Sequence, residues 1–159
     1  MTTTITTFLT YDTQAEEAAR LYTSLFDGTI KETMRYPAGG PRPEGAVLSV
    51  TFELLGQTYV ALNGGPTFTF SQGFSLMVQV GTQAELDRLW KKLTEDGGRA
   101  VQCGWLVDKF GVSWQIVPKQ LAGMLSDRDR AKSGRTMQAM MRMQKLDLAE
   151  LQAAFDGVR

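Results

Sequence analysis

Any chemistry in this chain has to be done without imidazole, because its 159 residues include no histidine and a single cysteine, Cys103. That composition excludes Ser-His-Asp and Cys-His relays and histidine-ligated zinc within the chain. Proton transfer would fall to carboxylates, lysine, tyrosine or the one thiol. The residues best suited by type and spacing to hold a ligand lie in C-G-W-L-V-D-K-F-G-V-S-W-Q-I-V-P, from Cys103 to Pro118. Two alternating runs flank a turn at Lys109-Phe110-Gly111, which predicts a β-hairpin. In its second arm Val112, Trp114 and Ile116 share one face, and Ser113, Gln115 and Val117 the other. The apolar face suits packing under a helix. The other face, with a hydroxyl and an amide, suits the floor of a pocket.

The amide of Gln115 donates and accepts at once, so it can hold a ligand carbonyl or hydroxyl, or serve as a structural amide bonded to backbone or water. Trp105 can stack on a ring or fill core. Cys103 has no imidazole or cation beside it in sequence and reads as a buried, inert thiol. Asp108 reads as a turn residue.

The elements that must position these residues follow from periodicity. Ile5 to Tyr11 alternates as a strand, with Leu9 and Tyr11 on one face and Thr6, Phe8 and Thr10 on the other. Thr13-x-x-Glu16 has the pattern of a capping box opening a helix that carries Ala15, Ala18, Leu21, Tyr22 and Leu25. Gly28 can supply the left-handed stop. Strands are expected at Thr29 to Tyr36, Ala46 to Leu54 and Gln57 to Asn63, with a proline-glycine loop from Pro37 to Gly45. Residues 64–73 form a linker in which Phe68 and Phe70 either wall a pocket or staple the segment down. The pattern then restarts. Phe74 to Val80 is a strand with Ser75, Met77 and Gln79 on its mixed face. Thr82-Gln83-Ala84-Glu85 repeats Thr13-Gln14-Ala15-Glu16 letter for letter. That identity, at the same place in the same order of elements, supports an internal duplication. Arg99 to Gln102 and the hairpin complete the second unit.

After Pro118 the strands stop. A short helix is expected at Gln120 to Leu125, and a longer one capped by Ser126 or Asp127 and running to about Gln144. A last helix is capped by Asp147-x-x-Glu150 and ends near Gly157. The methionines 137, 140, 141 and 143 suit adaptable core or subunit packing, with a dedicated ligand surface as the lesser reading. The expected fold class is therefore α+β: a βαβββ module at 1–63, a linker at 64–73, a second module at 74–118 and a helical tail at 119–159. Together these form one integrated domain with a curved mixed sheet and a concave cleft.

Acidic and basic residues balance at 17 each, so no electrostatic argument favours nucleic acid or an anionic membrane as partner. No apolar stretch reaches the length of a membrane span, and one cysteine forms no internal disulfide. A soluble cytoplasmic protein is expected.

The hairpin resembles the signature of the PhnB-like branch of the glyoxalase/bleomycin-resistance (vicinal oxygen chelate) superfamily, whose members carry the label 3-demethylubiquinone-9 3-methyltransferase. Similar pieces are A-E-E-A-A-R-L-Y-T-S-L-F at Ala15 to Phe26, L-N-G-G-P at Leu62 to Pro66, F-T-F-S at Phe68 to Ser71, and the tail from Met137 to Leu151. The resemblance extends over nearly the whole chain and implies paired βαβββ modules, a cleft and a homodimer. Metal-dependent relatives place ligands on the first and last strands of each module. Here those positions fall at Thr6, Ser75 and Gln115, with a fourth near Tyr59 or Ala61. None is a histidine or a carboxylate, so neither metal nor cofactor is expected. Methyl transfer on a Rossmann-like site would need a glycine-rich strand-to-helix turn. Gly39-Gly40 lies in the proline loop and Gly64-Gly65-Pro66 leads into the linker, so neither provides one.

Three readings follow. One is a metal-free protein that binds a neutral or weakly polar, ring-containing small molecule in the cleft. Its ligand-binding residues are Gln115, Trp105, Ser75, Thr6, Met77 and Phe68, with Gln79, Phe8 and Ser113 on the same wall. The second is an enzyme on the same cleft using acid/base groups other than histidine. The third is a non-catalytic, dimeric interaction protein.

Overall fold

The structure is a computed structural model and describes residues 2–158. Its contacts divide the chain into two compact units, Met1–Phe70 and Ser71–Arg159. The division falls inside the expected linker.

The first unit holds β1 (Thr7–Tyr11), α1 (Ala15–Leu25), β2 (Thr29–Arg35), β3 (Val47–Leu54) and β4 (Gln57–Asn63). Its four-stranded sheet has the order β1-β4-β3-β2, with β1 parallel to β4 and the other pairs antiparallel. Period-2 alternation sends Leu9, Tyr11, Val50, Phe52, Tyr59 and Ala61 to one face, where all are buried. Against it α1 lays Ala15, Ala18, Ala19, Tyr22 and Leu25. The alanines let helix and sheet approach closely, and Tyr22 and Phe52 fill the centre with rings 6.2 Å apart. Phe52 stacks on Tyr59 at 5.5 Å. Burial also raises the Tyr59 hydroxyl pKa above its usual value, because the phenolate would be poorly solvated there. Phe70 closes the unit edge-on against Tyr11, with ring centroids 5.2 Å apart. It therefore works as a staple.

Two local expectations about α1 are corrected. The Thr13-x-x-Glu16 box does not form: Gln14 is the N-cap residue and makes no side-chain capping bond. Instead the Ala15 N–H donates to Asn63 Oδ1 at 2.9 Å, a side chain delivered from the end of β4. Nor does Gly28 take the left-handed conformation; Asp27 does, with φ 47°. Glycine is needed at 28 because a Cβ there would collide with the Glu53 carbonyl oxygen.

The second unit repeats the plan with β5 (Leu76–Val80), α2 (Gln83–Thr94), β6 (Arg99–Ala100), β7 (Trp105–Val107) and β8 (Ser113–Pro118). Its sheet order is β5-β8-β7-β6, with β5 parallel to β8. Leu76, Val78, Leu106, Trp114 and Ile116 face α2, which buries Leu86, Leu89, Trp90 and Leu93. Completely burying such a leucine contributes about 1.5–3 kcal/mol. Thr82 caps α2 as predicted, its hydroxyl accepting from the Glu85 N–H at 3.3 Å. Strand β6 spans two residues, shorter than expected, because Cys103 and Gly104 turn the chain with φ 58° and 84°.

The tail forms α3 (Leu121–Leu125), α4 (Arg130–Met141) and α5 (Leu148–Asp156). The cap of α4 is Asp129, whose carboxylate accepts from Ala131 and Lys132, and not Ser126 or Asp127; the helix also stops at Met141, short of Gln144. Asp147 caps α5 as expected, and Gly157 ends it at φ 75°. Small buried residues on α4 (Ser133, Thr136, Ala139) admit α5 closely. The segment between α4 and α5 is bolted to the second module. Gln83 Nε2 donates to the Leu146 carbonyl at 3.0 Å, and Gln83 Oε1 accepts from the Leu148 N–H at 2.8 Å. The N–H groups of Cys103 and Gly104 reach the Met143 and Gln144 carbonyls, both at 2.8 Å. Gly104 is required there, since a Cβ would lie 2.9 Å from the Leu146 side chain. No helix among the described residues is long and apolar enough to cross a membrane.

Candidate functional site

In the second module, the face of the sheet turned away from α2 carries the candidate residues. The ladder sets Met77 opposite Gln115, and Gln115 opposite Trp105, so three expected residues form one row across β5, β8 and β7. The next row holds Gln79 and Val117. Over these rows lie Leu121, Ala122 and Leu125 of α3 and Met140 of α4, enclosing a cavity of about 270 Å³. Met77 is 55% exposed, and β5 is an edge strand, so the cavity opens along β5.

Ser75 fixes the amide of Gln115: Gln115 Nε2 donates to Ser75 Oγ at 2.9 Å. One N–H and the carbonyl oxygen remain for a ligand. Trp105 is half-buried and Cys103 lines the cavity from the turn, not from the strand. No charged side chain contributes to the lining. A charged ligand would lose hydration there without gaining a counter-charge, so the cavity favours neutral molecules.

The hairpin that presents this face is held from behind by Asp108, which is buried at 2% exposure. Its Oδ1 accepts from the Phe110 and Val112 N–H groups at 2.9 and 3.0 Å, and its Oδ2 from Trp114 Nε1 at 2.9 Å. Asp108 is thus more than a turn residue: it ties the turn to the indole that anchors the opposite face. The D-x-x-x-x-x-W spacing in the sequence was the signal for it.

The remaining expected residues lie elsewhere. Thr6 is exposed and precedes β1, and Phe68 packs beside Gly64; both belong to the first unit and neither lines the cavity. Ser113 is on the same sheet face but outside the lining, with its Oγ buried and unpartnered. Sequence reasoning missed α3 as part of the site and gave the cluster containing Met140 a ligand surface only as its lesser reading, because the tail gave no sign of which face it covers.

Phe8 lies opposite Val60 in the first unit as Met77 lies opposite Gln115 in the second. The position expected near Tyr59 or Ala61 is therefore filled by Val60, on the opposite sheet face. In neither unit do these residues, Thr6 with Val60 or Ser75 with Gln115, supply the anionic or imidazole ligands that a divalent ion needs to offset its dehydration. The residues do not fit a metal of that kind, and the described residues contain no cluster of three or more histidine, cysteine or carboxylate groups that could hold one.

The model of the family described as 3-demethylubiquinone-9 3-methyltransferase matches residues 3–117. The chain belongs to that family. It is a PhnB-like member, with one βαβββ module in each unit. It is similar to a PhnB protein from Bacillus cereus, with 39% identity over 72% of this chain and 99% of that one and a TM-score of 0.66. Protein PA1353 from Pseudomonas aeruginosa shares the fold at 21% identity, covering 74% of this chain and 98% of that one with a TM-score of 0.60. No curated protein matches the chain. The family match ends at Val117 and does not reach the tail motif from Met137 to Leu151.

Proposed function

We propose that this chain is a metal-free small-molecule-binding protein that holds a neutral, ring-containing ligand in the cavity of its second module. The observation that carries this reading is the row Met77–Gln115–Trp105 beneath α3, an apolar floor with one oriented amide. Small-organic sites are built this way, mostly apolar with few polar groups. Ser75 acts through Gln115 by fixing its amide, and Trp105 offers a ring face. Thr6 and Phe68 lie in the first unit and take no part in this cavity.

Binding is favoured over turnover by what lines the cavity. General acid/base catalysis needs a titratable side chain within reach of the substrate. The lining contains no carboxylate, lysine or tyrosine, and Cys103 is its one titratable group. The neutral residues at Thr6, Ser75, Val60 and Gln115 support the metal-free reading.

Native mass spectrometry of freshly purified protein tests the proposal, because it reports retained ligand, metal and assembly together. A neutral adduct of small mass is expected on the wild type. Losing one neutral hydrogen bond costs about 0.5–1.5 kcal/mol, so Gln115→Ala should weaken binding roughly two- to tenfold with the fold intact. Stoichiometric zinc, nickel or iron that disappears in Gln115→Ala would overturn the metal-free reading. The exposed Met137 and Met141 of α4 support a homodimer, and a monomeric spectrum would contradict it.

A further inference from the structure

We infer that the helical tail, through Met140 and Leu125, sets which ligands the cavity admits, an inference that rests on the binding reading above. The floor is the part shared with the family: Met77, Trp105, Gln115 and Val117 all lie within the matched residues 3–117. Hydrogen-bonded ladders on both sides of β8 hold it, and the Ser75 bond holds its amide. The roof lies beyond that match: Leu121, Ala122, Leu125 and Met140 all come after Val117. The Bacillus cereus protein is covered to 99% by 72% of this chain. The size of the cavity is therefore set in part by the helical tail, an addition to the matched floor.

How that addition is seated makes it a determinant of size. Strand β8 hands the chain to α3 through the Lys119 N–H, which donates to the Val80 carbonyl at 2.9 Å. Beyond α4, the chain is fastened by Gln83 to Leu146 and Leu148, and by the Cys103 and Gly104 N–H groups to Met143 and Gln144. With both ends anchored to the second module, α3 and Met140 stand at a fixed height over Gln115. Leu125 and Met140 are neither exposed nor sealed in core. Met140 is unbranched and adaptable, the side-chain type that most readily conforms to a ligand. Shortening either residue should lengthen the space above the amide without touching the floor.

The test uses the full chain and a homologous series of alkyl phenyl ketones, from acetophenone upward, titrated by calorimetry. Each ketone offers a ring, one acceptor for the Gln115 N–H and a tail of adjustable length. The wild type should gain affinity with each added methylene up to a limit and lose it beyond. Met140→Ala and Leu125→Ala should each move that limit to a ketone longer by roughly one or two methylenes. Met140→Leu should leave it in place. Gln115→Ala should weaken every member by a similar factor and leave the limit unchanged. Circular dichroism and thermal melting identify any variant that fails to fold, and the other tail variant then decides. If the wild type binds and a folded tail variant keeps the limit where it was, or if the wild type shows no limit, the inference about the tail fails while binding stands. If no ketone binds the wild type, both fail together.

Discussion

The two modules begin their helices with the same four letters and bond them differently. At Thr13-Gln14-Ala15-Glu16 the threonine caps nothing, Gln14 folds back to accept from the Thr13 N–H at 3.2 Å, and Asn63 supplies the cap. At Thr82-Gln83-Ala84-Glu85 the threonine caps, and the glutamine reaches out to the tail. The cause lies in the parallel strand next door. Tyr11 pairs with Asn63, whereas Val80 pairs with Pro118. Asparagine brings an amide to the helix start; proline brings neither a side-chain acceptor nor an N–H. Freed from any capping partner, Thr82 takes the role itself, and the tail beside α2 gives Gln83 backbone groups to hold. Identical sequence gives different bonds when the neighbouring strand end differs.

Breaking this comparison should have its largest effect at Asn63. Its Oδ1 accepts from Ala15 and its Nδ2 donates to the Val47 carbonyl at 3.0 Å, with 6% of the residue exposed. Asn63→Ala takes the partner from one buried and one part-buried backbone group, at roughly 1–3 kcal/mol each, so a loss of about 2–6 kcal/mol in urea unfolding is expected. Thr82→Ala should cost about 1 kcal/mol, the usual value of a lost N-cap. Thr13→Ala should stay within about 0.5 kcal/mol. Equal costs at Thr13 and Thr82 would show that the two starts are bonded alike.

The glutamines come next. Gln83→Ala removes two bonds to the tail and should cost about 1–2 kcal/mol, whereas Gln14→Ala removes one local, exposed bond and should cost under about 0.5 kcal/mol. The specific readout is hydrogen exchange at the Leu148 N–H, which loses its acceptor only in Gln83→Ala. Unchanged protection at Leu148 would contradict the latch.

Asp87 sharpens the same contrast through pH. Hydrogen bonds from Lys145, at 2.7 Å, and from Gln83, at 3.0 Å, hold its carboxyl below the usual value of 3.8. A depressed folded-state pKa means stability that is present above the unfolded value and is lost as pH falls through the folded one. As pH falls below about 4, tail amides in the second module should therefore lose some protection in the wild type. In Asp87→Asn that pH-dependent part should be absent. The pair is about half exposed and solvent-screened, so the effect belongs at the low end of the 0.2–1 kcal/mol range typical of surface pairs. An identical acid profile in Asp87→Asn would remove the ion pair from the account of the latch.

Much of this was legible in the sequence, and for physical reasons. Period-2 alternation marked the faces of β5 and β8, since a one-residue slip would turn every core side chain to the wrong side. The shared wall of Met77, Gln79 and Gln115 followed from it, whereas the register of β4 did not and was expected at Tyr59 or Ala61 where Val60 stands. What could not be read were contacts with residues distant in sequence, Asn63 overriding a local capping box and the Glu53 carbonyl crowding Gly28, and the choice among neighbouring caps that puts Asp129 rather than Ser126 or Asp127 at the start of α4. The roof over Gln115 was hidden for the same reason. Helical periodicity marks an apolar stripe but does not say which surface it covers, and α4 buries mainly Ser133, Thr136 and Ala139, residues that advertise no stripe.

The smallest expected effect concerns a hydroxyl that only the second module buries. Ser113 is 2% exposed and its Oγ has no hydrogen-bond partner. Counting back along β4 from the matched pair Asn63 and Pro118, its counterpart is Thr58, which is exposed to solvent. A buried hydroxyl without a partner has surrendered its water for nothing, whereas an exposed one keeps it. Ser113→Ala should therefore be neutral or raise stability by up to about 1 kcal/mol, a reversal of the usual sign for a polar-to-alanine change in a core. Thr58→Ala should change little, within about 0.5 kcal/mol. Paired thermal and urea unfolding of the two variants decides the matter. A loss above about 1 kcal/mol for Ser113→Ala would mean that its hydroxyl is satisfied in solution, as by an ordered water, and that the two modules treat this strand position alike.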